Sequence, residues 1–232
     1  MIPIAILAGG MATRLGKLSE HKPKSLIETA GRPFIDWQLD LLEKAGITSV
    51  YLLVSHFSNQ IVDHLATREK KSLQIQCFED GPVSAGTGGA LLANYDSLPE
   101  IFFLMYGDSY LDIDYKAMYE YFLEKDLAYL MAVCKTPLNE VAISNAEVAN
   151  GKVVQFSKNQ FSIQMEYEDF GLSILRREIL TPFLSSNKCD LSTITEKLAF
   201  EGKVGAYIVN DKYYEVGSSQ GISDFEKHMG AL

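Results

Sequence analysis

The chain has 232 residues, with 21 Lys or Arg against 30 Asp or Glu, and a net charge of −9 disfavours a protein that covers a nucleic-acid backbone. Hydrophobic residues make up 47%, which excludes a disordered chain, yet no apolar run approaches the length of a bilayer span. Cys77, Cys134 and Cys189 are odd in number, far apart and without a nearby His, which argues against a disulfide framework or a zinc site; a cytoplasmic, reduced protein is expected.

Residues 2–8 have no basic flank and run straight into Gly9-Gly10, so they read as a buried first strand and not as a leader. Residues 49–54, 73–78, 101–106 and 127–134 read as further strands. Segments 33–44, 58–66, 88–95 and 114–124 read as helices between them. The first helix puts Phe34, Trp37 or Gln38, Leu41, Leu42 and Ala45 on one stripe, with Pro33 at its first position, Gly46 just past its end, and Trp37 expected in the core. Asp114 is placed to cap the fourth helix. Alternating strands and helices of these lengths predict an α/β chain with a Rossmann-like, mostly parallel sheet covered by helices on both faces. The second half changes character. Residues 146–149 and 152–156 flank Asn150-Gly151, a strong hairpin signal. A strand at 169–175, helices at 177–184 and 190–200, a strand at 204–209 and a last helix from Ser218 follow. No linker interrupts the chain, so one domain is expected over 1–232, with a nucleotide-binding half over about 1–135 and a mixed half over about 136–232 that shapes a second pocket.

The first strand ends in Gly9-Gly10-Met11-Ala12-Thr13-Arg14-Leu15, a glycine-rich turn through which backbone N–H groups can approach phosphate oxygens. It is neither a Walker A loop, since five residues separate Gly10 from Gly16-Lys17, nor a G-x-G-x-x-G fingerprint. Arg14, Lys17, Lys22 and Lys24 follow, opposed only by Glu20, in a chain that is otherwise acidic. Donors and positive charge converging behind a glycine turn suit a triphosphate better than a solvated loop. Further on, the strand at 101–106 delivers Gly107-Asp108 to its C-terminal end, where open α/β sheets bind ligands. Asp112-Ile113-Asp114 is a literal D-x-D, but capping explains Asp114, and Asp112 reads as a loop residue.

The Gly9–Leu15 run, with Lys22-Pro23-Lys24 and Gly31-Arg32-Pro33, resembles the G-G-x-G-T-R-L … P-K … G-x-P signature of sugar-1-phosphate nucleotidyltransferases. The resemblance continues through Asp80-Gly81-Pro82 and Gly86-Thr87-Gly88-Gly89-Ala90, through Gly107-Asp108, Phe156-Ser157-Lys158 and Asp169-Phe170-Gly171, and ends at Tyr214-Glu215-Val216-Gly217-Ser218. It implies a GT-A-like fold and the joining of an NTP to a sugar 1-phosphate with release of pyrophosphate, with GTP and a heptose 1-phosphate for cell-surface polysaccharide as the candidate pair. In that reading Arg14 and Lys24 are catalytic. Ala8, Gly9, Gly10, Thr13, Asp80, Gly81, Gly86, Thr87 and Gly88 bind the nucleotide; Lys158, Asp169 and Gly171 bind the sugar phosphate; Asp108 and Glu215 hold Mg²⁺. The partners are the NTP and the sugar 1-phosphate, with no nucleic acid and no membrane. Three positions depart from the pattern: Ala12 for the third glycine, Lys17 for a usual proline, and Glu215 for a usual aspartate. The competing readings are a glycosyltransferase using Asp112-x-Asp114 and a non-catalytic nucleotide or sugar-phosphate sensor.

Overall fold

The computed structural model describes residues 3–10, 22–55, 57–68, 72–79, 85–136, 144–160, 162–186, 188–210 and 213–230. Strand β1 (Ile4–Leu7) is buried along its whole length. A 3₁₀ turn (Lys24–Leu26) and a short ribbon of β2 (Glu28–Thr29) and β3 (Arg32–Pro33) lead into α1 (Phe34–Lys44). Then come β4 (Ser49–Val54), α2 (Ser58–Thr67), β5 (Gln74–Glu79), α3 (Gly86–Ala93), β6 (Ile101–Tyr106), β7 (Ser109–Tyr110), α4 (Tyr115–Glu124) and β8 (Tyr129–Lys135). The hairpin β9 (Ala146–Ala149) and β10 (Lys152–Phe156), β11 (Tyr167–Arg176), α5 (Leu191–Phe200), β12 (Val204–Val209), β13 (Tyr214–Glu215) and α6 (Ser219–Gly230) complete the order.

One nine-stranded sheet runs β5-β4-β1-β6-β11-β8-β12-β10-β9. Strands β5, β4, β1 and β6 pair in parallel, and so do β8 and β12. Strand β11 lies antiparallel to both β6 and β8, and β10 is antiparallel to β12 and β9. With β11 and β10 reversed, the remaining strands share one direction, so the sheet is mostly parallel but mixed. Side chains of β1 alternate between its faces. Ile4 and Ile6 pack with Ile35, Leu39 and Leu42 of α1 and Met118 and Phe122 of α4; Ala5 and Leu7 pack with Leu91 of α3 and Ile194 and Leu198 of α5.

Local chemistry sets the boundaries. Asp114 Oδ1 accepts from Ala117 N at 2.9 Å, which is the expected cap of α4. Asn150 and Gly151 both take positive φ, as a two-residue hairpin turn requires. Pro33 sits one residue outside α1, as its extended N-cap. The helix expected over 177–184 is a 3₁₀ segment (Arg177–Phe183), since Pro182 within it lacks an amide donor.

The predicted single stripe on α1 splits into two faces. Ile35, Gln38, Leu39 and Leu42 face the sheet side, while Phe34 and Leu41 belong to a separate cluster with Tyr110, Val216 and Phe225. Helix α6 supplies that second partner, with Phe225 edge-on to Phe34 at 5.3 Å and 5.1 Å from the Tyr110 ring. Trp37 is therefore only half-buried: Arg32 lies 3.6 Å over its ring, and its Nε1–H donates to Thr29 O. This outer cluster ties α6 to the β7–β13 ribbon, where Glu215 pairs with Ser109.

Candidate active site

Strands β1 and β6 end side by side, and Gly107 N donates to Leu7 O at 3.1 Å where they meet. A Cβ on Gly107 would stand 2.6 Å from Leu7 O, so glycine is needed for the two strand ends to touch. Around this junction opens a cleft of about 370 Å³ lined by Ala8, Gly9, Gly10, Lys24, Gly86, Thr87, Asp108 and Lys158, among others. Eight positions that the sequence assigned to nucleotide, phosphate or metal thus share one wall. Arg14, Thr13, Asp80 and Gly81 lie outside the described residues. Gly88 is not on the lining. It faces α5, where a Cβ would meet Cys189 Sγ at 2.9 Å.

The first turn of α3 is fitted to the start of α5. Gly86 has φ +80°, and a Cβ there would stand 2.6 Å from Cys189 O. Gly89 N donates to Cys189 O, and Thr87 Oγ1 accepts from Leu191 N at 2.8 Å. Part of this glycine-rich segment is therefore spent on bringing two helices together.

Lys24 forms an ion pair with Asp108, which joins the basic segment to the end of β6. Ser25, beside it on the cleft wall, has a buried hydroxyl with no hydrogen-bond partner among the described residues. On the far side of Asp108 and Tyr106 lies a second cavity of about 390 Å³, lined by Asp169, Gly171, Tyr213, Glu215 and Ser218, among others. Its Asp169 carboxylate accepts from Gly171 N at 2.8 Å and from Tyr106 Oη at 3.2 Å. Burial raises the Asp169 pKa from its ordinary 3.8, opposed by the Gly171 amide, the Lys158 charge and the Tyr106 hydroxyl. Burial, and then the Asp169 charge, push Tyr106 well above its usual value. Lys158 Nζ sits 5.6 Å from the Tyr106 ring centre, so Lys158, Tyr106 and Asp169 form one chain across the boundary between the cavities. Tyr213 closes the second cavity by donating to Glu168 Oε1 at 2.7 Å.

Glu215 is brought beside Asp108 by the β7–β13 ribbon, where Val216 N donates to Asp108 O at 3.0 Å. Its carboxylate accepts from Gly217 N and from Ser218 Oγ. Two hard oxygen donors on adjoining segments fit Mg²⁺, an ion that binds through one or two carboxylates and takes its other ligands from water and phosphate. Among the described residues no group of three His, Cys, Asp or Glu is arranged to hold an ion. Asp112 is exposed and lines neither cavity.

Tyr106, Tyr213 and Asp190 were missed as site residues. Tyr106 precedes Gly107-Asp108 at a strand end and could have been found from that position. Tyr213 and Asp190 reach the site only through tertiary packing.

Residues 4–158 match the family model described as nucleotidyl transferase. The chain belongs to that family. A D-glycero-alpha-D-manno-heptose 1-phosphate guanylyltransferase of Campylobacter jejuni is 24% identical over 213 residues, covering 91% of this chain and 93% of the relative. An N-acetylmuramate alpha-1-phosphate uridylyltransferase of Caulobacter vibrioides is 32% identical over 108 residues, covering 40% and 45%. The chain spans between 35% and 65% of the length of several other curated relatives. Among solved structures, HddC from Yersinia pseudotuberculosis complexed with GMP-PN superposes with a TM-score of 0.83 at 21% identity, covering 99% of this chain and all of that one. A putative glucose-1-phosphate thymidylyltransferase from Bacillus anthracis gives 0.86 at 14%, covering 100% and 96%. At these identities the likeness speaks to the fold, which is the one the sequence resemblance implied. Among the described residues no helix is long and apolar enough to cross a membrane.

Proposed function

We propose that the chain transfers a nucleotidyl group from an NTP to a sugar 1-phosphate, releasing pyrophosphate, in the cytoplasm. The observation that carries this reading is the pair of cavities meeting at Tyr106 and Asp108, one walled by glycines and Lys24, the other by Asp169, Gly171 and Glu215. The family and its curated relatives support the reaction class. The guanylyltransferase that matches over nearly its whole length supports GTP and a heptose 1-phosphate as the first pair to test.

The sugar phosphate is itself anionic near neutral pH, so its oxygen can attack the α-phosphorus without a general base, and the bond to the pyrophosphate oxygen breaks as the new one forms. The protein's task is to hold two repelling anions in line and offset their charge. Lys24 serves the α-phosphate, Arg14 the β- and γ-phosphates, and Lys158 the incoming sugar phosphate. Thr13, Asp80, Gly81 and the backbone of Ala8–Gly10, Gly86 and Thr87 hold the nucleotide; Asp169 and Gly171 hold the sugar. Asp108 and Glu215 would hold Mg²⁺, which supplies charge neutralisation on the phosphoryl oxygens. Purified protein assayed with four NTPs against a panel of sugar 1-phosphates should release pyrophosphate with at least one pair, and release from none would overturn the reading. A glycosyltransferase would instead turn over a preformed sugar nucleotide. The capping bond of Asp114 and the exposed Asp112, which lines neither cavity, speak against that activity.

A further inference from the structure

We propose that Asp190 reads the nucleobase and selects guanine. The inference rests on the reading that the cleft takes a nucleoside triphosphate, and it adds the base and the side chain that recognises it. A wall built for a polyanion has reason to carry cations, and Lys24 and Lys158 line it. A carboxylate on the same wall is repelled by phosphate unless it is paired, or faces the uncharged part of the ligand. Of the two carboxylates on the described lining, Asp108 is paired with Lys24; Asp190 is the other.

Its place in the chain would normally give Asp190 a different task. An aspartate just ahead of a helix usually accepts from an amide of the first turn. Asp190 makes no such bond at α5, and Leu191 N is taken by Thr87 Oγ1 instead. The carboxylate turns toward α3, where Oδ1 lies 3.1 Å from the position a Cβ of residue 86 would occupy. Gly86 opens this turn of α3 with its φ of +80°, and Gly86, Ala90 and Asp190 all line the cleft. Ala90, Leu53 and Leu7 line the same cleft and belong to one apolar cluster. A flat heterocycle laid on that apolar stretch therefore has its edge at Asp190.

Guanine presents N1–H and N2–H₂ side by side, two donors matching two carboxylate oxygens in a charge-assisted pair. Uracil and thymine flank their single ring N–H with carbonyls, which would set acceptors against the carboxylate. Hypoxanthine keeps N1–H but lacks the 2-amino group, so ITP isolates that contact.

The test is titration calorimetry of the full chain, as wild type, Asp190→Asn and Asp190→Ala, with GTP, ITP, UTP and dGTP. Wild type should bind GTP about 10- to 100-fold tighter than ITP or UTP, the size of a lost hydrogen bond to a charged group. Both variants should bring the GTP-to-ITP ratio toward one without lowering the nucleotide-free Tm. Equal binding of GTP and ITP by wild type, or an unchanged ratio in the variants, would overturn the proposal. So would poor binding of dGTP together with equal losses of GTP and ITP in the variants, which would put the carboxylate on the ribose. The readout is binding, so a failure to release pyrophosphate with any sugar 1-phosphate would strike the transferase reading alone. A protein that binds none of the four nucleotides would overturn both.

Discussion

The two cavities are built by opposite means. The wall proposed for the nucleotide depends on what is missing: at Gly107 and Gly86 the absence of a side chain lets one backbone segment approach another. The wall proposed for the sugar depends on side chains: Asp169 accepts from Tyr106 and from the Gly171 amide, and Tyr213 is held separately by Glu168. A site of the first kind is rigid and tolerates little addition. One of the second kind can be retuned residue by residue, which suits a family whose relatives are named for different sugars.

The comparison is broken most severely at Asp108, which with Tyr106 is shared by both cavities. Asp108→Asn should abolish turnover, falling by more than about 10³-fold, because an amide is a poorer partner for both Lys24 and Mg²⁺. Asp112→Asn should leave turnover nearly unchanged, and steady-state pyrophosphate release on the folded variants would expose a reversed ranking. Lys24→Ala should cost about 10²–10³-fold in kcat while far-ultraviolet circular dichroism stays native.

Glu215 sharpens the contrast between ligand and scaffold. Glu215→Asp should remain active and Glu215→Gln should lose activity that high Mg²⁺ partly restores. If its carboxylate serves only Gly217 N and Ser218 Oγ, Glu215→Gln would change stability alone, by about 0.3–1 kcal/mol in denaturant unfolding. Gly107→Ala tests the close approach of β1 and β6 at the first cavity and should destabilise the fold by about 1–3 kcal/mol in denaturant unfolding, since a methyl must enter where Leu7 O already stands.

The smallest effect expected is in the second cavity. Asp169 has a raised pKa in the folded chain, so the folded state binds its proton more tightly than the unfolded state does. Stability therefore falls as pH rises through the window above 3.8, and Asp169→Asn should raise the Tm of the ligand-free protein at pH 7. That gain should fade toward zero as pH drops below the ordinary carboxylate value. A gain independent of pH would show that repacking, and not charge burial, is responsible.

The same division decides what was legible beforehand. Strands at 49–54, 101–106 and 204–209 and the hairpin around Asn150-Gly151 match the expected bounds, because local periodicity and turn chemistry define them. That Gly9, Gly10, Gly86, Lys24 and Asp108 would meet on one wall was legible too, from short motifs of the kind that suit phosphate. The two-residue ribbon that sets Glu215 beside Asp108 was not, since two residues have no periodicity to read. Nor was the split of α1 into two faces, which depends on α6 returning from the far end of the chain. Asp190 read as a helix start, and only the packing of α5 on α3 turns it into the cleft.

The place of β11 between β6 and β8 has a consequence for how the molecule is made. A ribosome that has released residues up to 135 has produced two strands, β6 and β8, whose intended neighbour does not yet exist. Both present unpaired edges until residues 167–176 emerge, and such edges invite pairing with other chains. The segment up to residue 135 is thus unable to close its own sheet, and a gene cut after it should give an aggregating fragment. Co-expression of the two pieces should restore soluble protein only when the second carries β11.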